Sequence, residues 1–229
     1  MKVMLEHGHL SSCFFDAERF ISQKTMEEIM RKKSHISLAK YIVDSLAEQD
    51  MLKHKKAFYL GSILPDCKPS FLTERHEIEG TFPKVQQEMK LLVERKKDYQ
   101  INTRVFYRHL GEIIHYIADY FTFPHNAHYP GNLKDHCAYE EQLKHSLKEY
   151  IESGNAQKER IRIHNNAKVL NSTEAICDFI QMAHDRYVKI KNTVEGDCRQ
   201  IVALCHQVVE AIISLIKGEN AETLLLSAA

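Results

Sequence analysis

The chain has 229 residues, 31 basic against 31 acidic, and a hydrophobic content of 44%. That balance excludes the uniform positive field of a nucleic-acid binder or of a protein drawn to anionic membranes. The length fits one globular domain with a full core. Eight glycines and five prolines are few breakers for such a chain. Apolar spacing follows the helical period and strand-type alternation is hard to find, so the expected fold is all-α, a single-domain multi-helix bundle.

Residues 1–33 lack an uninterrupted apolar run long enough for a signal peptide, and they read as an N-terminal extension with a helix over 24–32. No segment reads as a membrane span. Six cysteines (Cys13, Cys67, Cys137, Cys177, Cys198, Cys205) without paired spacing read as reduced thiols, and the expected location is cytoplasmic. Ser34 is placed to cap a helix over 35–48, whose inner stripe is His35, Leu38, Ala39, Ile42, Val43 and Leu46. Residues 61–80 read as irregular. Their apolar start stops at Pro65 and presents Asp66, which suits an Asx-turn, a helix cap or a ligand. His76, flanked by Glu74, Arg75, Glu77 and Glu79, reads on its own as surface.

Helices follow over 81–98 and 104–122. In the second, Phe106, Leu110, Ile113, Ile114, Ile117, Ala118 and Phe121 cover most of the circumference, which predicts burial nearly all round. His115 and Asp119, four apart, share a face of it. A buried carboxylate must be paired, so this pair is either a mutual hydrogen bond or part of a metal site. Gly111, one turn before His115, would let another backbone approach closely. Pro124-His125 falls in an irregular stretch over 123–134. The helix over 135–152 then repeats the spacing with His136 and Glu140, in line with Leu143 and Leu147. Imidazole nitrogen with carboxylate oxygen is a ligand set that suits zinc.

The same spacing occurs at His145/Glu149 and His206/Glu210. The first pair shares its face with Glu141, Lys148 and Glu152, the second with Arg199 and Lys217, so both read as solvated surface. Cys137 points to a different face from His136 and is a poor ligand. A connector over 153–171, helices over 172–191 and 196–217, and a tail after Gly218 complete the chain. The main domain is thus expected over 34–217.

In order, His35, Gly61…Pro65-Asp66, His76, His115-x-x-x-Asp119, His125 and His136-x-x-x-Glu140 resemble the ligand series of the zinc-dependent phospholipases C. That family includes small secreted bacilli enzymes and the catalytic domain of clostridial alpha-toxin, and single-strand-specific nucleases of similar fold share the metal site. The run LGEIIHYIADYFTFPH carries the most specific part, and the resemblance spans residues 34–150. It implies a helical bundle with zinc ions at the bottom of a cleft. Asp66, His76, His115 and Asp119 would hold the first ion, and Asp119 would bridge to a second at His35. His125, His136 and Glu140 would hold the third. The resemblance implies hydrolysis of a phosphate ester, phospholipid among the candidates, by in-line attack of water on a phosphodiester, with Asp66 orienting or deprotonating that water. No stable nucleic-acid complex is expected.

The chain departs from the family at one point. Secreted members complete the His35 ion with the amine and carbonyl of an N-terminal Trp, and this chain has no Trp. The expectation is therefore two to three zinc ions, the His35 ion lacking that ligand. Two other readings stand beside it. One is a catalytically weakened metal-binding helical domain acting through protein contacts. The other is an HD-type phosphohydrolase using the doublet His184-Asp185, at the edge of the stripe Ile176, Phe179, Ile180, Ala183, Tyr187.

Overall fold

The computed structural model describes residues 33–67, 76–95, 102–164, 170–190 and 193–218. Among them are eight α-helices and no strand. They are α1 (33–46), α2 (Gln49–Gly61), α3 (Ile78–Glu94), α4 (Thr103–Tyr120), α5 (Leu133–Glu152), α6 (Asn155–His164), α7 (Thr173–Tyr187) and α8 (Val194–Lys217). Single 3-10 turns lie at Pro65–Cys67 and Phe123–His125. The chain is all-α, as expected from its periodicity.

Local chemistry sets the helix starts. Asn132 accepts the backbone N–H groups of Lys134 and Asp135, while Asp135 accepts that of Asn132, a reciprocal cap that opens α5. Asn102, Ser172 and Thr193 do the same work for α4, α7 and α8 with one bond each. α8 ends at Gly218 in the left-handed region, φ 71°.

α4 is the element that places the site. Every residue from Ile113 to Tyr120 is buried, so nothing on its second half faces water. Its most extensive packing is against α2, and glycines make the crossing close. A Cβ on Gly111 would collide with the Phe58 carbonyl oxygen and lie 2.8 Å from the Ser62 nitrogen. One on Gly61 would land on the Arg108 carbonyl. The two backbones therefore touch where any side chain would hold them apart, as the position of Gly111 suggests.

Several elements differ from the sequence reading. α1 is already helical at residue 33, and the Ser37 hydroxyl donates to the Lys33 carbonyl at 3.0 Å, so Ser34 lies inside the helix and is not its cap. α2 forms where no helix was expected. Only Met51, Ala57, Phe58 and Gly61 of it are buried, and the chain kinks at His54 (φ −107°, ψ 15°). α6 occupies the connector. Glu159 accepts two bonds from Arg162 on its surface. The expected helix over 24–32 and the tail beyond Gly218 lie outside the described residues.

α8 is long and apolar enough to cross a membrane by length and composition, contrary to the expectation that no segment would be. Here it is a core helix. Ile201, Val202, Leu204, Cys205, Val208, Val209 and Ile212 are buried against α3, α4, α5, α6 and α7. Each buried aliphatic side chain of this kind contributes roughly 1.5–3 kcal/mol relative to exposure.

Candidate metal centre

Six separate elements deliver the eight candidate ligands. His35 comes from the first turn of α1 described, Asp66 from the Pro65–Cys67 turn, and His76 from the residues leading into α3. α4 supplies His115 and Asp119, the Phe123–His125 turn supplies His125, and α5 supplies His136 and Glu140. Seven are buried, and the His136 side chain is 17% exposed. They fall into three groups: Asp66, His76 and His115; His35, His115 and Asp119; His125, His136 and Glu140. The His76 and His125 rings, 6.4 Å apart, join the third group to the others.

The first group has the dimensions of a coordination shell. His76 Nδ1 lies 3.1 Å from His115 Nε2, 2.8 Å from Asp119 Oδ2 and 3.8 Å from Asp66 Oδ1. His115 Nε2 is 3.4 Å from Asp119 Oδ2 and 3.5 Å from Asp66 Oδ1. A tetrahedral zinc site with bonds of about 2.0–2.2 Å has ligand–ligand edges of roughly 3.3–3.6 Å, which those five separations bracket. The His115 tautomer is fixed, because its Nδ1–H donates to the Ser62 carbonyl at 2.9 Å. Nε2 is thereby turned to the other three atoms, the usual arrangement of a metal-binding imidazole with a backbone acceptor behind it.

Asp66 supplies the sharpest observation. Both of its carboxylate oxygens are buried and neither has a hydrogen-bond partner. It is therefore no Asx-turn and caps nothing. A buried ionised carboxylate with no hydrogen bond is costly, and a cation among these four side chains offsets that cost. The donor set fits zinc.

Asp119 faces two ways. Oδ2 is turned to His76 and His115, while Oδ1 is 3.2 Å from His35 Nε2. One carboxylate thus addresses two groups, and the His35 and His115 rings stack with centroids 4.0 Å apart. In the third group Glu140 Oε1 lies 3.2 Å from His125 Nε2 and 2.9 Å from His136 Nε2. Among the described residues, the ionic partners of Asp66, Asp119 and Glu140 are all histidines.

Burial and charge compete at these residues. Burial works against the charged form of Asp119, yet His125, His115 and His35 hold its carboxyl well below the usual carboxylate range. Burial likewise opposes ionisation of Asp66, and His115 followed by His35 outweighs it, so its pKa is also lowered. His35 moves the other way. Burial disfavours its imidazolium, but Asp119, with Asp66 and Glu140 behind it, raises the pKa above 6.5. A cavity beside His35, Asp119 and Glu140 has apolar walls in Leu38, Leu143 and Leu147.

Three readings of the sequence change here. His76 is buried, not surface, because the chain before α3 folds it against Asp119 and Tyr116. His206 is also buried, 6.3 Å from the Tyr41 ring, because α8 is covered over more of its circumference than one apolar stripe indicates. His184 is buried against Phe121 and Tyr187 and its Nε2–H donates to Asn126 Oδ1 at 2.8 Å. Glu79, Asp185 and His128 act on it only at a distance, and among the described residues it belongs to no His/carboxylate group with metal-ligand spacing, which an HD-type site requires. His145 is solvated as expected, 69% exposed and paired with Glu141. The Ser62 carbonyl behind His115 was not anticipated, although the small residues at Gly61 and Gly111 were its signal.

No curated protein and no solved structure gives a significant match to the chain. The model of the zinc-dependent phospholipase C family does match, over residues 34–194, a span that holds all eight converging side chains. The chain belongs to the zinc-dependent phospholipase C family.

Proposed function

We propose that this protein is a metal-dependent phosphoric-ester hydrolase that cleaves phosphodiesters, with His35, Asp66, His76, His115, Asp119, His125, His136 and Glu140 holding two to three zinc ions. The observation that carries the reading is the buried Asp66 carboxylate, with neither oxygen hydrogen-bonded, inside a shell of zinc-like dimensions. Bound zinc would supply a Lewis acid for the phosphoryl oxygens and bring the pKa of a water toward neutrality. The chain's own groups do the rest. The Ser62 carbonyl holds the His115 ring in one tautomer and one orientation. Asp119 fixes the spacing between the first two groups through its separate oxygens. Asp66, kept ionised by His115 and His35, is the carboxylate placed to orient the attacking water or accept its proton. Leu38, Leu143 and Leu147 keep bulk water from the inner wall.

The substrate class is a phosphodiester, with phospholipid as the family's own chemistry. Cys67, Cys177, Cys198 and Cys205 are free thiols, which supports a reducing, cytoplasmic setting. The test is a metal analysis beside an assay panel. After mild dialysis the purified chain should retain about two or more zinc ions, as closed His/carboxylate shells do. Short-chain phosphatidylcholine, a chromogenic phosphodiester and single-stranded nucleic acid are then assayed across added zinc, and hydrolysis of at least one should rise with metal. A chain that neither holds nor rebinds zinc sinks the metal reading. Full occupancy with no turnover on any substrate leaves a metal-binding module acting through protein contacts.

A further inference from the structure

Asp197, in the first turn of α8, is wholly buried at 0% exposure. Its Oδ2 accepts the Phe123 backbone N–H at 2.8 Å and the Tyr139 hydroxyl at 2.7 Å, and its Oδ1 accepts the Tyr187 hydroxyl at 2.8 Å. These donors come from three elements. Phe123 opens the turn that carries His125, Tyr139 lies on α5 between His136 and Glu140, and Tyr187 closes α7. One carboxylate oxygen is thus shared by the two elements that must meet to form the third ligand group. Buried side-chain acids are retained only when such donors satisfy them. Even so, burial pushes the Asp197 carboxyl up to about 6, so it stands at its place at some cost to the fold.

We infer that Asp197 is a positioning residue for the His125, His136 and Glu140 group, locking the Phe123–His125 turn to α5 so that the three side chains converge. It touches none of the three. The need for it follows from the chain path: His125 and α5 are separated by the irregular residues 126–132, and no helix geometry sets His125 against His136. Misplacement of a ligand by about 1 Å is enough to spoil a site of this kind. The inference rests on the reading of that group as metal-binding.

The experiment uses the full chain loaded with zinc and a graded chelator competition that resolves the ions by affinity, with Asp197→Asn, Tyr139→Phe, Tyr187→Phe and His136→Ala. His136→Ala identifies the ion of the third group. Asp197→Asn should weaken that ion roughly tenfold or more, within the range for groups lying behind metal ligands. The ion held by Asp66, His76 and His115 should lose clearly less, since none of its ligands lies on the turn or on α5 that Asp197 ties together. Tyr139→Phe removes one bond to the same oxygen and should weaken the same ion less, and it decides the matter if Asp197→Asn does not fold. Tyr187→Phe, which removes the bond from α7 to the other oxygen and leaves both bonds to Oδ2, should weaken it least. In metal-free Asp197→Asn, amide hydrogen exchange at Phe123 and His125 should be faster than in wild type. Equal affinity for the third-group ion in wild type and variants overturns the inference and leaves the metal reading standing. Parallel weakening of every ion overturns it too, because that is what general destabilisation does. If His136→Ala changes no ion of the wild type, the metal reading of this group fails and the inference fails with it.

Discussion

Two sets of buried histidines stand in this fold. His35, His76, His115 and His125 are buried in the candidate centre, and His184 and His206 are buried outside it. Burial does not tell the sets apart. What differs is how close a carboxylate stands: His35, His76 and His125 each have a carboxylate oxygen within 3.2 Å, whereas Glu210 Oε2 is 3.9 Å from His206 Nδ1. His184 bonds to the neutral amide of Asn126 among aromatic rings, and burial lowers its pKa, which keeps the imidazole uncharged. His35 is desolvated even more, but Asp119 beside it drives the pKa upward. Desolvation with opposite outcomes teaches that closely placed carboxylates define the site, and the histidines only follow them.

The largest expected effect therefore comes from a carboxylate. Asp119→Asn removes the charge shared by two groups and should cut metal affinity and activity by more than about 100-fold, exceeding the effect of losing a group behind a ligand. Glu149→Gln, on the exposed face of α5, should change neither. Metal titration and initial rates on the best phosphodiester read both variants. Equal sensitivity at Glu149 would mean that the face assignment of α5 is wrong.

Metal removal comes next. Ions bound only to the folded chain, at a hundred to a thousand times their dissociation constant, add about 3–4 kcal/mol. At roughly 2–4 °C per kcal/mol for a chain of this size, chelation should lower the melting temperature by about 10 °C. The pH dependence should change sign as well. In the metal-free chain the raised His35 pKa contributes stability that is complete below pH 6.5 and is lost as pH rises through the folded value. The depressed Asp119 pKa contributes stability present above pH 3.8 and lost as pH falls through its folded value. Zinc requires the imidazoles unprotonated, so the increment from zinc should grow between about pH 6 and 8 while the metal-free chain weakens. Melts recorded in chelator and in zinc across that range check this. A zinc increment that shrinks with rising pH would contradict it.

The site is more legible in this sequence than the fold around it, for physical reasons. His115 and Asp119 stand out because α4 is apolar on nearly every other position, so two polar residues there demand a partner. α2 was missed because its run QDMLKHKKAFYLG buries only four residues and bends at His54, leaving no continuous stripe. α6 was read as a connector because its sequence has charged residues around most of the helix. His206 reads as surface when one apolar stripe per helix is expected, whereas α8 is covered more widely. Asp197 has no sequence signal at all. An acid in the first turn is what an ordinary helix start carries, and its three donors lie 10, 58 and 74 residues away.

A smaller effect should follow at the α2–α4 crossing. Gly111→Ala puts a methyl against the Phe58 carbonyl and forces α2 outward, carrying the Ser62 carbonyl away from His115. Overpacking of this kind costs about 1–3 kcal/mol, and zinc affinity should fall with it. Gly80→Ala, in α3 with open space around the added Cβ, should instead stabilise by about 0.5–1 kcal/mol. Denaturant melts with and without zinc separate the two. A Gly111→Ala chain that binds zinc normally would show that the Ser62 carbonyl does not orient His115.

The smallest effect on metal should come from the other buried set. Glutamine at position 184 can still donate to Asn126 Oδ1 while losing the ring's contacts with Phe121 and Tyr187. His184→Gln should then cost on the order of 1 kcal/mol, the worth of an imperfect buried hydrogen bond, or about 2–4 °C of melting temperature. Zinc content and turnover should stay at wild-type levels, because no carboxylate is bonded to this ring. His35→Gln offers the matched test, a buried imidazole lost beside Asp119, and it should lower zinc retention at that group. If both substitutions cost zinc equally, burial alone would suffice to make a histidine part of the centre. If only His35→Gln does, the carboxylates decide which buried histidines belong to it.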